Sequence, residues 1–290
     1  METLNGLLVL DKPGGMTSRA ALDRAQRWFP RRTRLGHTGT LDPLATGVLV
    51  LCLGNSTRLA EYVQRMGKTY RTRLRLGATS DTDDADGTVT AVEGARVPTP
   101  DEIATAVKAF VGPIAQTPPA FSAVKVTGRR AYDLARSGEE VALAAKTVQV
   151  YGIDVLAYEP PLLDLEVRCG KGTYVRSLGR DLGARLGCGA LVQKLRRLRV
   201  GPFTVDNAVS LDAGAEEARA NLRPVEEAVA ELQAVTLGDA ELKRLRQGQA
   251  VPLGACDAGE VAVFDAGLRL VAVAAFDAEN RLLRPAKVLA

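Results

Sequence analysis

The chain has 290 residues, 46% of them hydrophobic and only 4% aromatic, with 28 glycines and a net charge of +4. That length allows one large domain or two, and many glycines with few aromatics favour strands and tight turns over a long-helix bundle. No apolar run approaches the roughly 20 residues of a membrane-spanning helix, the start "METLNGLLVLDKPGG" lacks the order of a signal peptide, and one histidine with four scattered cysteines leaves no zinc pattern.

A cytoplasmic location with reduced, buried thiols at Cys52, Cys169, Cys188 and Cys256 is the resulting expectation. The charge is unevenly spread. Residues 1–211 carry a balance of +8 and residues 212–290 a balance of −4. A basic larger part suits a polyanionic partner.

In chain order, Leu7–Leu10 reads as an apolar strand, Pro13-Gly14-Gly15 as a turn, and Thr17 or Ser18 as the cap of a helix ending before Pro30. "GHTGTLDPLATGVLVLCLG" places Asp42 in a glycine-rich loop, five residues after the lone His37. The apolar run that follows reads as a strand covered on both faces. "TRLAEYVQRM" is helical. "KTYRTRLRLG" alternates, with Tyr70, Thr72, Leu74 and Leu76 turned inward and Arg71, Arg73 and Arg75 outward. "SDTDDADG" lacks the twelfth-position acid of a calcium loop and reads as a solvated acidic turn. "TPDEIATAVKAFVG" is a capped amphipathic helix.

"TPPAFSAVKVTGRRAYDLARSGEEV" interleaves aromatics with Lys125, Arg129, Arg130 and Arg136, the pattern of a nucleic-acid-gripping insertion or of a plain surface loop. "LLDLEVRCGKGTYVRSLGRDLG" is a strand, a glycine turn and a helix from about Val175. "LVQKLRRLRVGPF" is a basic strand. Residues 206–234 look helix-rich. From about Val235 a short helix and several short strands suggest a small closed β module. No nucleotide or metal motif and no Ser-His-Asp set emerges.

Taken singly, Asp42 is a turn residue, His37 a bonded loop residue, Arg176 a surface charge, and Tyr70 and Tyr174 core aromatics. Together and in this order, "GHTGTLDPLATGVL", "KTY", "KGTYVRSLGRDLG" and "LRRL" closely resemble the TruB family of bacterial tRNA pseudouridine-55 synthases. "LDKPGGMTS" and "DTDDADG" resemble its N-terminal pattern, and "LKRLRQGQAVPLG" the opening of its C-terminal RNA-binding PUA module.

The resemblance implies an α+β fold with a mixed, mainly antiparallel sheet flanked by helices. A catalytic domain would span residues 1–230, with a basic insertion at about 118–146, and a small PUA-like β-barrel module would span 231–290. It implies Asp42 as the catalytic aspartate, Arg176 as its arginine partner, and Tyr70, Tyr174 and Leu195 around the uridine, with Tyr70 also a candidate in catalysis. His37 would meet the substrate loop, and Lys125, Arg129 and Arg130 the RNA. It implies no cofactor and no metal, tRNA as partner through its TΨC stem-loop, and no protein partner. A monomer is the default. The rival readings are a tRNA-binding or folding module whose catalysis is dispensable, and an enzyme acting on a small acidic metabolite.

Overall fold

The computed structural model describes residues 4–122, 125–126, 129–130, 143–254, 256–257 and 259–289, with backbone alone at 125–126 and 129–130. Most of the basic insertion expected at 118–146 lies outside them. The strands are β1 (Gly6–Lys12), β2 (Leu35–His37), β3 (Thr46–Leu53), β4 (Lys68–Leu76), β5 (Ala78–Ser80), β6 (Val89–Ala91), β7 (Gly112–Gln116), β8 (Lys125–Val126) and β9 (Arg129–Arg130). They continue with β10 (Lys146–Glu159), β11 (Leu162–Cys169), β12 (Ala190–Val200), β13 (Phe203–Thr204), β14 (Val209–Ser210), β15 (Gln233–Thr236), β16 (Val251–Pro252), β17 (Glu260–Phe264), β18 (Leu270–Asp277) and β19 (Leu282–Val288). The helices are α1 (Ser18–Ala25), α2 (Ala60–Arg65), α3 (Pro100–Lys108), α4 (Val175–Arg185), α5 (Ala215–Ala220) and α6 (Asp239–Arg246).

The main sheet runs β14-β1-β3-β12-β4-β11-β10-β7, with β2 added to β3 and β13 to β12. Only β14 on β1 and β12 on β3 pair in parallel among the described residues of this sheet. The unbroken apolar run of β3 explains its central place, since Gly47–Leu53 are all buried.

Alternate residues of β1 and β3 enter two separate cores. Leu8, Leu10, Leu49, Leu51 and Leu53 join Trp28, Leu74 and Leu178 on the front face, beneath α1 and α4. Leu7, Val9, Val48, Val50 and Cys52 join Tyr62, Met66 and Phe203 on the back face. The back core also takes in Ala262, Leu270 and Val273 of the C-terminal sheet, so the two sheets share apolar burial. Ion pairs Arg65–Glu260 and Lys287–Glu61 flank that contact.

The C-terminal sheet is a curled half-barrel in the order β15-β17-β18-β19-β16. Leu242 and Leu245 of α6 sit in its core. Residues 206–234 are less helical than their composition suggests: α5 has six residues and Val225–Val229 is a 3-10 turn. The fourteen-residue strand β10 escapes a reading by alternation because two register shifts against β11 break its period. No helix of the described residues is long and apolar enough to cross a membrane. Cys52, Cys169 and Cys188 are buried and Cys256 is half-buried.

One close approach constrains the sequence. Gly47 has φ +98°, and a Cβ there would lie 2.2 Å from the Arg197 carbonyl oxygen across the β3–β12 pairing. Backbone cannot yield as a side-chain tip can. Gly47→Ala is expected to destabilise the chain by about 3 kcal/mol. Urea denaturation checks this, and a loss under about 0.5 kcal/mol, the range of neutral surface changes, would overturn it.

Candidate active site

The loop between β2 and β3 holds Asp42, and it is tied down on several sides. The Ser18 hydroxyl donates to the Leu41 carbonyl at 3.0 Å and accepts from the Leu41 N–H at 2.7 Å. Thr17, not Ser18, caps α1, accepting from the Ala20 N–H at 3.1 Å, which leaves Ser18 for the loop. On the other side of Asp42, the Gly15 N–H donates to the Pro43 carbonyl at 2.9 Å. Pro43 also biases Asp42 to an extended backbone.

Arg176, in the first turn of α4 and only 4% exposed, meets this carboxylate. Its Nη2 donates to Asp42 Oδ1 at 3.0 Å and its Nε lies 2.9 Å from Oδ2. The Nε–H is not aligned for a hydrogen bond, so that prong is an ion contact. The Asp42 side chain keeps 33% of its surface open.

Burial pushes the Asp42 carboxyl above its ordinary value of 3.8, Arg176 pulls it down, and Asp84 pushes it up again. The guanidinium therefore limits the rise but does not abolish it.

The acidic loop after β5 does not behave as the solvated turn that its composition suggests. Asp84 is 4% exposed and its Oδ2 lies 3.5 Å from Arg176 Nη1. Arg176 Nη1 also donates to the Thr82 carbonyl at 2.8 Å, and Nη2 to that of Phe121 at 2.9 Å. Asp83 pairs with Arg180 one turn along α4 at 2.9 Å. The loop docks on β12 through Ala85 N–H to Val192 O and Val192 N–H to Asp83 O. A guanidinium with two carboxylates and two carbonyls around it has nearly all of its donors engaged.

Two further cations belong to the site. Lys12 is fully buried at the end of β1, and its Nζ donates to the carbonyls of Pro13 and Met16, each at 2.8 Å, and of Pro43 at 3.4 Å. Burial lowers its pKa to about 8 while Asp42 opposes that shift. Arg197 is 4% exposed; its Nε donates to the Val48 carbonyl at 2.7 Å and its Nη2 to that of Gly39 at 3.2 Å, bracing the Asp42 loop from below. Lys12 stands in the quoted "LDKPGG", and Asp84 in "SDTDDADG". A lysine between an apolar strand and a Pro-Gly turn is the signal that could have marked Lys12.

Tyr70 on β4 is 9% exposed and stands opposite Arg197 of β12. Burial pushes its hydroxyl pKa up, with Arg197 pulling it down and the Asp42 charge adding to the rise. Tyr174, the residue before α4, feels both Asp42 and Arg176, though burial dominates its upward shift. Leu195 is 7% exposed, pairs with Thr72 of β4, and shares the front core with Tyr70.

The structure thus gathers Asp42, Arg176, Tyr70 and Tyr174, with Leu195 on the adjoining strand. His37 ends β2 and is influenced by Arg197 and Arg19; burial lowers its pKa and its Nδ1 is buried without a partner. Lys125 and Arg130 pair across the β8–β9 hairpin, as do Val126 and Arg129. Among the described residues no group of three or more His, Cys, Asp or Glu is placed to hold a metal ion.

A mixed, mainly antiparallel sheet carrying one carboxylate–guanidinium pair over its front face defines this site, and the fold as a whole is similar to that of two solved structures. One is an H/ACA RNP bound to a substrate RNA containing 2′-deoxyuridine, at TM-score 0.74 and 26% identity over 98% of this chain and 85% of that one. Another is a Cbf5-Nop10-Gar1 complex, at TM-score 0.73 and 30% identity over 93% of this chain and 78% of that one.

The chain belongs to the TruB family of pseudouridylate synthases, whose N-terminal domain matches residues 27–175 and whose tRNA pseudouridylate synthase B C-terminal domain matches residues 176–230. A tRNA pseudouridine synthase B of Ralstonia pickettii is 42% identical over 99% of this chain and 94% of its own length. That of Syntrophobacter fumaroxidans is 46% identical over 84% of this chain and 82% of its own.

Proposed function

We propose that this chain isomerises the uridine at position 55, in the tRNA TΨC loop, to pseudouridine, with Asp42 as the catalytic carboxylate. The observation that carries the residue assignment is the Arg176–Asp42 pair, in which a buried guanidinium holds a partly open carboxylate. A purely RNA-binding module has no use for a carboxylate facing a polyanion, which disfavours the binding-only reading.

The reaction breaks the bond from sugar C1′ to uracil N1 and forms one from C1′ to C5; the C5 proton leaves to solvent and N1 takes up a proton from it, so that atoms and charge balance. Asp42 can attack C1′, attack ring C6, or remove a sugar proton, and each route needs it ionised. The uridine must first be extruded from its loop, at about a few kcal/mol. Tyr70 and Leu195 would receive it by stacking and apolar contact, Tyr174 would close the pocket, and His37 would brace the loop left behind. Lys125, Arg129 and Arg130 would grip the RNA backbone, and residues 231–290 would add a PUA-like RNA-contacting module to a catalytic part at 1–230.

Release of tritium from tRNA carrying 5-tritiated uridine tests the reading. A tRNA with cytidine at the target position is expected to release nothing; equal release from both substrates would refute the assignment. The same assay carries a pH signature. The active carboxylate must be ionised, and its pKa stands above 3.8, so kcat/KM rises with pH through a midpoint above that value. A midpoint at or below the ordinary carboxylate value would contradict the burial of Asp42.

A further inference from the structure

Helix α4 carries Tyr174 at its cap position and Arg176 in its first turn, yet the Tyr174 side chain makes no capping hydrogen bond. A helix start has unsatisfied N–H groups, and a cap residue normally decides where the helix begins. Here the cap-position residue is itself held from another element. Gln116, the last residue of β7, is 2% exposed, and its carboxamide grips the Tyr174 main chain with both ends. The Tyr174 N–H donates to Gln116 Oε1 at 2.8 Å, and Gln116 Nε2 donates to the Tyr174 carbonyl at 3.0 Å. A primary carboxamide offers a donor and an acceptor side by side, so one planar group fixes both position and orientation.

The segment after Gln116 continues the attachment. The Thr117 carbonyl accepts from Ser177 Oγ at 2.8 Å and from Arg180 Nη2 at 3.0 Å. The Phe121 carbonyl accepts from Arg176 itself at 2.9 Å. Strand β7 and its exit thus hold three side chains of α4 as well as its cap.

We propose that Gln116 is a positioning residue for the isomerisation: it sets where α4 begins and hence the angle at which Arg176 meets Asp42. This rests on the reading that Asp42 and Arg176 carry the reaction. Arg176 is the second residue of the helix, so a start shifted by two residues takes Arg176 itself out of helical geometry. Without the carboxamide, the first turn can fray or shift, and the fork of Arg176 leaves the carboxylate.

Gln116→Met removes both bonds at similar volume. Gln116→Glu keeps the acceptor for the Tyr174 N–H but sets a second acceptor against the Tyr174 carbonyl. Both variants are expected to lower the single-turnover rate of tritium release by about 10- to 100-fold, with tRNA binding within about threefold of the parent. The acid-side midpoint of the rate profile moves upward in both, since a displaced Arg176 no longer restrains the Asp42 pKa. Adding Arg176→Lys to Gln116→Met costs less than the two separate losses combined.

A merely structural glutamine would lower the folded fraction and leave that midpoint in place. Folded Gln116→Met turning over at the parental rate with an unmoved midpoint would overturn the proposal. If Gln116→Met does not fold, Gln116→Glu supplies the readout; failure of both to fold would assign Gln116 to stability and overturn it too. An active Asp42→Asn sinks the underlying reading, whereas an inactive Asp42→Asn beside a fully active Gln116→Met sinks this inference alone.

Discussion

Asp42→Asn is expected to lower tritium release by at least about 10³-fold while tRNA binding stays within about threefold of the parent. The amide has nearly the same shape, so the loop ties through Ser18, Gly15 and Lys12 survive. What is lost is the negative charge that the proposed mechanism uses as nucleophile or base. The neutral amide also removes a negative charge that would repel RNA phosphates, so affinity has no electrostatic reason to fall. Tritium release and filter binding at fixed salt measure the two effects separately. Turnover within tenfold of the parent would show that the reaction centre lies elsewhere, and tRNA binding without turnover in the parent itself would favour the binding-module reading.

Arg176→Lys should cost about 10²-fold in turnover although the charge is kept. The guanidinium meets Asp42 through two nitrogens, donates to the carbonyls of Thr82 and Phe121, and lies 3.5 Å from Asp84. An ammonium is one point with three donors and cannot span these groups. Each buried acceptor left unpaired costs about 1–3 kcal/mol, and the Asp42 carboxyl loses the contact that restrains its pKa. The acid-side midpoint of kcat/KM therefore moves upward, the sign expected when a stabilising cation is withdrawn from a carboxylate. Near-parental turnover with an unmoved midpoint would refute the role given to the fork.

Much of the local structure can be read directly. The apolar run after Asp42 announces β3, alternation in "KTYRTRLRLG" announces β4 with Tyr70 facing inward, and Thr99 with Glu102 announces the capping box of α3. These are contacts within a strand or a turn, and residue order alone sets them. The acidic loop shows where such reading stops. Its composition is that of solvated turns, yet buried Asp84 accepts from the Thr82 hydroxyl at 2.6 Å and the Asp86 N–H at 3.1 Å with Arg176 beside it, and half-buried Asp83 meets Arg180.

Residue order was enough for β1, β3, β4, α1 and α3, for the carboxylate in its Pro-constrained loop, for the inward tyrosine and for the family likeness. The tertiary structure alone decided which groups surround the carboxylate. Asp42 and Arg176 are 134 residues apart in the chain, Thr82 and Arg176 are 94 apart, and Gln116 and Tyr174 are 58 apart. Hydrophobic period tells which face of an element is buried, but not what that face meets. The partners of a buried charge are chosen when separate strands and loops close over one core, because only there does desolvation make each missing partner costly.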